Sequence, residues 1–388
     1  MSRVRLPLAL ATGAMLAASV ACGRDVAQRP DVIRSDSAGV RLITNTAPDT
    51  ALAWRFDTIG VLTDSLGEPW LFTAVPPRWV ITDRAGRTYV LERDQVIRRF
   101  GRDGRYERSI GRRGGAPGEM LYPVQLLQQG DSVGVLDDDR AAIVRWGPDL
   151  GAIADLPLRG ALHDASRVAF RFGGAWVQRR VVDSLGAREE LVVDTVANVA
   201  VYALPEGRGA MVQACGTRIA FEGGRLFASG LHWHAAAPQM VVSSGADYEI
   251  DYYEGPRLFA RVKRSLPSRA PTRDDLRRLY PDGLQLRRGG GPPCVIDGET
   301  LERDVGFADT MPAVHGVARF REGTLWVRRS MPSERPSVLD VFGTDGTYLG
   351  SVRGLNLPVG QLPNDELLVP IDDESSGGIQ IARIRVTR

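Results

Sequence analysis

RFGRDGRY at residues 99–106 returns near the other end of the chain as VFGTDGTY at residues 341–348. Each copy reads as a strand ending in Phe, an Asp-Gly turn, and a second strand opening with Tyr. Asp-Gly supplies the positive φ that a tight hairpin demands, so the two stretches specify the same supersecondary unit. A further matching piece precedes each of them. Asp83-Arg84-Ala85-Gly86 leads into Thr88-Tyr89-Val90-Leu91, and Arg321-Glu322-Gly323 leads into Thr324-Leu325-Trp326-Val327. A weaker copy joins Val133-Gly134-Val135-Leu136 to Ile143-Val144-Arg145-Trp146 and a turn at residues 148–151. Fainter ones run from Ala175-Trp176-Val177 to Tyr202, and from Arg225-Leu226-Phe227 to Ile250 and Tyr252.

Almost nothing between these units has helical period; short strand-like runs alternate with Gly, Asp and Pro turns. Units of about 40 residues fit four-stranded propeller blades, whereas a sandwich needs no repeating hairpin with constant turn chemistry. The expected fold is therefore all-β, a six-bladed β-propeller with a short helical insertion. Blades are expected to begin near Trp79, Leu121, Arg167, Cys215, Pro312 and Leu357. Joining the first and last blades removes exposed edges. The strand-like run Val40-Arg41-Leu42-Ile43-Thr44 is expected to do this, beside residues 367–370 and 379–386. Residues 36–388 form the propeller, broken by an insertion at about 256–293. Within that insertion Thr272 and Asp275 form a capping box, Leu276, Leu279 and Tyr280 share a helical face, and Pro281 stops the helix. Such an excursion either carries a partner site or covers a blade edge.

IGRRGGAPGEMLYPVQL (residues 110–126) resembles the linker between blades in bacterial propellers of the NHL-repeat and TolB-like type. VLDDDRAAIVRW (135–146), GTLWVR (323–328) and IARIRV (381–386) are similar to strands of those proteins. The resemblance covers about two thirds of the chain. It implies a six-bladed fold and little about function, because propellers host many activities.

The chain has 388 residues, 43% hydrophobic and 25% charged, with a formal net charge of +2. A large core is possible without disulfide staples. Arginines are dispersed, Lys263 is the one lysine, and no basic patch with interleaved aromatics points to nucleic acid. At the N-terminus, Arg3 and Arg5 precede an apolar run at residues 6–18, then Ser19-Val20-Ala21-Cys22. Residues 1–22 read as a signal peptide. Cys22 resembles the acylated cysteine of a bacterial lipobox, although Ser19 replaces the usual Leu; ordinary cleavage after Ala21 is the alternative. Gly23 at the next position is similar to the outer-membrane sorting pattern, and residues 23–35 form a tether. The apolar run is too short to span a bilayer. Cys215 and Cys294 either pair, as an oxidising compartment permits, or remain separate buried thiols.

The glycines at residues 111–118 lack the Lys and following helix of a phosphate loop and read as a blade linker. Asp137, Asp138 and Asp139 offer oxygens to a hard cation, but one turn cannot supply a ring of ligands, so a solvated turn is preferred. Asp372, Asp373 and Glu374 are read likewise. His232 and His234 point to one face of a strand, a spacing that zinc uses with a third ligand; His163 and His315 are the remaining histidines. No catalytic residue and no cofactor is expected. Two functions follow: a monomeric, envelope-anchored binding or scaffolding module for a protein or carbohydrate, or a metal-dependent lactonase-like hydrolase or lyase in the propeller channel. An acidic channel would favour the second.

Overall fold

The structure, a computed structural model, describes residues 31–388 apart from 130, 159–164, 172–173, 184–185, 195–198, 206–209, 215–216, 222–224, 237, 287–293, 321, 330, 332–333, 335 and 374. The repeat signalled by the two Asp-Gly hairpins is present. Gly104 and Gly346 take φ of +88° and +79°. In each turn the Asp carboxylate accepts the backbone N–H two residues on, from Arg105 and from Thr347, both at 3.0 Å. Gly346 is required for a second reason. A Cβ there would lie 2.7 Å from Val262 and 2.9 Å from Ile43, so only glycine lets this turn close on the neighbouring sheet.

These hairpins belong to a β-propeller whose sheets are antiparallel but for one parallel strand pair, with two short α-helices among the described residues. Sheet 1 is Val80–Thr82, Thr88–Leu91, Ile97–Phe100 and Tyr106–Ile110. Sheet 2 is Pro123–Gln129, Ser132–Asp137, Ala142–Trp146 and Ala152–Pro157. Sheet 3 is Ala165–Arg171, Gly174–Asp183, Gly186–Asp194 and Val199–Pro205. Sheet 4 contains His232–Ala236, Gln239–Ser243, Glu249–Glu254 and Arg257–Arg264. Sheet 5 is Gly316–Arg319, Leu325–Arg328, Val338–Phe342 and Tyr348–Arg353, and sheet 6 contains Gly360–Leu362, Glu366–Asp373 and Gly378–Thr387. The fourth sheet therefore begins at His232, not near Cys215; Ala210–Ala214 and Thr217–Phe221 form a separate hairpin.

The core lies between sheets rather than within one, because alternate side chains of each strand face opposite neighbours. In Leu325–Arg328, Leu325 and Val327 pack toward sheet 4 while Trp326 packs toward sheet 6. Buried clusters lie between sheets 1 and 2 (Leu91, Val135), 2 and 3 (Leu136, Val168), and 3 and 4 (Leu191, Trp233). Others lie between sheets 4 and 5 (Val262, Phe342), 5 and 6 (Trp326, Leu367), and 6 and 1 (Ile381, Phe100). A buried Gln125 reinforces the junction of sheets 2 and 3. Its amide donates to the Val168 carbonyl at 2.7 Å and accepts from the Val168 N–H at 2.8 Å.

Closure differs from the sequence expectation. Val40–Asn45 runs parallel to Arg257–Arg264 on the outer edge of sheet 4, and Val32–Ser37 pairs outside it. The strand that completes sheet 6 is Arg55–Val61, antiparallel to Gly378–Thr387. Trp54 and Phe56 meet Trp326 edge-on at 6.1 Å, so aromatic packing selects this later strand. Isolated sequence did not mark it, because Asp57, Thr58 and Gly60 interrupt its apolar pattern.

The insertion is also displaced. Arg257–Arg264 is the fourth strand of sheet 4, so the excursion starts after it and carries two helices, Arg273–Leu279 and Gly298–Asp304, and the hairpin Leu284–Leu286 with Cys294–Ile296. The capping box is formed as expected: Thr272 accepts from the Asp275 N–H, and Asp275 accepts from the Thr272 N–H at 2.8 Å. The second helix begins at Asp297, whose side chain accepts the Thr300 N–H at 2.8 Å. Leu276, Leu301, Ile296 and Val305 bury a small core of their own with Leu226. Among the described residues no helix is long and apolar enough to cross a membrane.

Candidate functional site

The first strands of sheets 1 and 2, 2 and 3, 4 and 5, and 6 and 1 adjoin one another, which places them around the propeller axis. A cavity of about 820 Å³ opens there, within the range of small-ligand sites. Five of the sheets line it: Thr82 from sheet 1, Gln128 from sheet 2, His234 from sheet 4, Arg319 from sheet 5, and Gln361 from sheet 6. Arg84 and Gln239 complete its polar lining, and no described lining residue is an Asp or Glu.

Strand ends position these groups. Thr82 and Arg319 are the last residues of equivalent first strands, pairing with Thr88 and Leu325 across the same hairpin. The Thr82 hydroxyl donates to the Gln361 carbonyl at 2.9 Å, locking sheets 1 and 6 at the rim. The Gln361 amide donates to Glu322, whose carboxylate also accepts from Thr324 and Arg388 and so is already committed. Arg319 has no such partner for its buried Nε. Its guanidinium lies 5.4 Å over the Tyr252 ring, and burial lowers its pKa. Behind the wall Arg167 stacks 4.2 Å over Trp233, with its Nε likewise buried and unpaired. Burial and, secondarily, Arg78 bring its pKa down to about 10.

His234 stands between these charges. Its Nδ1 is buried without a hydrogen-bond partner. Burial first, then Arg167 and Arg319, pushes the imidazole down to about 4, so it is neutral at pH 7. His232, two residues earlier, also drops to about 4, through burial and then the proximity of His315 and Arg167. The structure thus brings His232 near His315 and leaves His234 to the axial cavity; His163 lies outside the described residues. Among the described residues no group of three His, Cys, Asp or Glu could hold a metal ion.

The acidic clusters have structural work. Asp137 is fully buried, not solvated as its triplet reads in sequence. Its carboxylate accepts the N–H groups of Leu121, Tyr122 and Arg140 at 2.7–3.1 Å, tying the linker to sheet 2. Asp138 and Asp139 are exposed. Asp373 holds its turn by accepting from the Ser375 N–H at 3.0 Å and the Ser376 hydroxyl at 2.8 Å; Asp372 is exposed and Glu374 lies outside the described residues. The glycines at 111–118 form the linker, with Gly111 against Met120 and Trp146 and Gly118 against Ala152 and Trp146. Cys294 is disulfide-bonded, while Cys22 and Cys215 lie outside the described residues.

Sequence reasoning missed Arg84, Arg319, Gln128 and Gln361. Part of the signal was available in the repeat: Thr82 and Arg319 end equivalent first strands, whereas Arg84 lies in the following turn and Gln128 and Gln361 lie inside their strands, positions that the repeat does not mark.

No family model and no curated protein matches the chain. Solved structures do. A Bacteroides fragilis protein inferred to be exported superposes with a TM-score of 0.53 at 11% identity, over 89% of this chain and 100% of that one. Virginiamycin B lyase from Staphylococcus aureus gives a TM-score of 0.40 at 9% identity, over 85% and 99%. BamB from Moraxella catarrhalis gives 0.33 at 11% identity, over 91% and 98%. At these identities the likeness to the first concerns the fold alone.

Proposed function

We propose that this chain is a six-bladed propeller of the NHL-repeat or TolB-like type, acting as a non-catalytic binding or scaffolding module of the bacterial envelope. Six sheets, with a buried cluster at each of six successive junctions, support the blade count. In this reading residues 1–22 direct export, lipid on Cys22 holds the protein at the outer membrane, and a protein or carbohydrate engages the axial cavity. The observation that carries the binding function is the lining of that cavity: amides, a hydroxyl, two guanidiniums and one imidazole from five sheets, with no carboxylate. A hard cation needs several oxygen ligands, carboxylates foremost, so this donor set suits ligand recognition better than metal-assisted hydrolysis. We also assign the partner of Cys294 to Cys215, since the helix Gly298–Asp304 packs against the strand Ala210–Ala214.

Photo-crosslinking in intact cells tests the function. A crosslinker at Ala236, which lines the cavity, should trap a discrete partner, and one at exposed Ile153 on an outer strand should not. Equal labelling from both positions would dismiss the axial site. Turnover of a lactone or ester by the purified chain, lost in His234→Ala, would replace binding with catalysis.

A further inference from the structure

The axial cavity has an electrostatic character that its role as a binding site leaves unspecified. Arg84 and Arg319 line it and Arg167 lies in the wall behind. The guanidiniums of Arg319 and Arg167 lie over aromatic faces, those of Tyr252 and Trp233, which orient a guanidinium without neutralising it. Each retains a buried Nε with no acceptor, and His234 contributes a buried Nδ1 with none. Two unsatisfied polar atoms, on Arg319 and His234, therefore belong to residues of one cavity whose described lining holds no acid, and a third, on Arg167, lies beyond that lining over Trp233.

A buried cation without a counter-charge is costly, and a buried donor without an acceptor adds to that cost. A ligand anion removes both costs at once. The planar guanidinium fork matches the two oxygens of a carboxylate or the face of a phosphate, where a compact ammonium would not. The chain's marked preference for arginine leaves this fork intact at both lining positions.

We propose that the axial cavity binds an oxyanion, a carboxylate or phosphate group of the ligand, through Arg319 and His234, with Arg84 guiding it at the mouth. This rests on the cavity being the binding site and adds the chemistry of what it takes. Arg167 acts from behind the wall through its field, stabilising the bound charge without contact.

Calorimetry on the full mature chain at low ionic strength, with inorganic phosphate and with citrate as probes, tests it. At least one probe should bind saturably at one site per chain, and more weakly as salt rises. The tighter of the two identifies the source of the oxyanion. Arg319→Gln should weaken binding at least about tenfold, as expected for losing a charge-assisted hydrogen bond. Arg319→Lys should fall between, and Arg257→Gln, exposed on the fourth strand of sheet 4 and outside the cavity, should bind as wild type. Arg84 is exposed, so Arg84→Gln keeps the fold even where Arg319→Gln does not, and should weaken binding several-fold. Saturable binding of neither probe, an unchanged Arg84→Gln, or equal weakening by Arg257→Gln would overturn the proposal. Crosslinking from Ala236 does not depend on cavity charge. A trapped partner without anion binding would reject the oxyanion and keep the axial site.

Discussion

Asn45 ends the strand that runs along sheet 4, and its side chain is fully buried. Its amide nitrogen donates to the Gly346 carbonyl at 3.0 Å and its amide oxygen accepts the Tyr348 N–H at 2.8 Å. One side chain therefore fastens the N-terminal strand to the Asp-Gly hairpin of sheet 5. The contact to the Lys263 carbonyl, at 3.4 Å, is long and is discounted. Asn45→Ala leaves one buried carbonyl and one buried N–H unpaired, at about 1–3 kcal/mol each, or about 2–6 kcal/mol together. For a domain of this size that lowers the melting temperature by about 3–8 °C. Differential scanning calorimetry reads it directly, with Ser35→Ala, on the exposed outermost strand, as a control that stays within about 1 °C. An Asn45→Ala protein melting with the control would refute the placement of this strand and return it to the last sheet.

Other outcomes are equally checkable. Cys22→Ser should abolish membrane fractionation; a mutant that stays acylated would exclude this cysteine as the anchor. Alkylation of the denatured, non-reduced chain should modify neither Cys215 nor Cys294, and peptide mapping should recover them linked; two free thiols would dispose of the bridge. Asp275 accepts from Arg269, Thr272 and Arg278, which hold its carboxyl well below the usual value of 3.8. A depressed folded-state pKa contributes stability above the unfolded value that is lost as pH falls through it toward the folded one. Asp275→Asn should therefore be less stable than wild type at pH 7, with the gap narrowing below about pH 4; a gap constant down to pH 2 would deny the carboxylate its role.

The fold was legible where turn chemistry is local. Asp103-Gly104 and Asp345-Gly346 fix their hairpins by φ and by the Asp side chain, and Thr272 and Asp275 fix a helix start within four residues. Pairing partners were not legible. Arg55–Val61 and Val40–Asn45 have comparable strand character, and only Trp326 and the Gly346 turn, hundreds of residues away, decide which sheet each joins. The second helix was missed because Asp297-Gly298 reads equally as a turn. At the site, His234 was visible as half of a pair, but that pair divides: His232 sits near His315 while His234 faces Arg319. Asp137 read as solvated because two of its three N–H donors, Leu121 and Tyr122, lie in the preceding linker, and only Arg140 lies in its own turn.

The most direct test of the axial site in a closed ring is a crystal structure of the mature chain grown in citrate. The predicted result is six four-stranded sheets closed by Arg55–Val61 against Gly378–Thr387, with a citrate carboxylate within hydrogen-bonding reach of Arg319 and His234. A ring of five sheets, a free Arg55–Val61 segment, or a carboxylate-ligated divalent cation on the axis would contradict it.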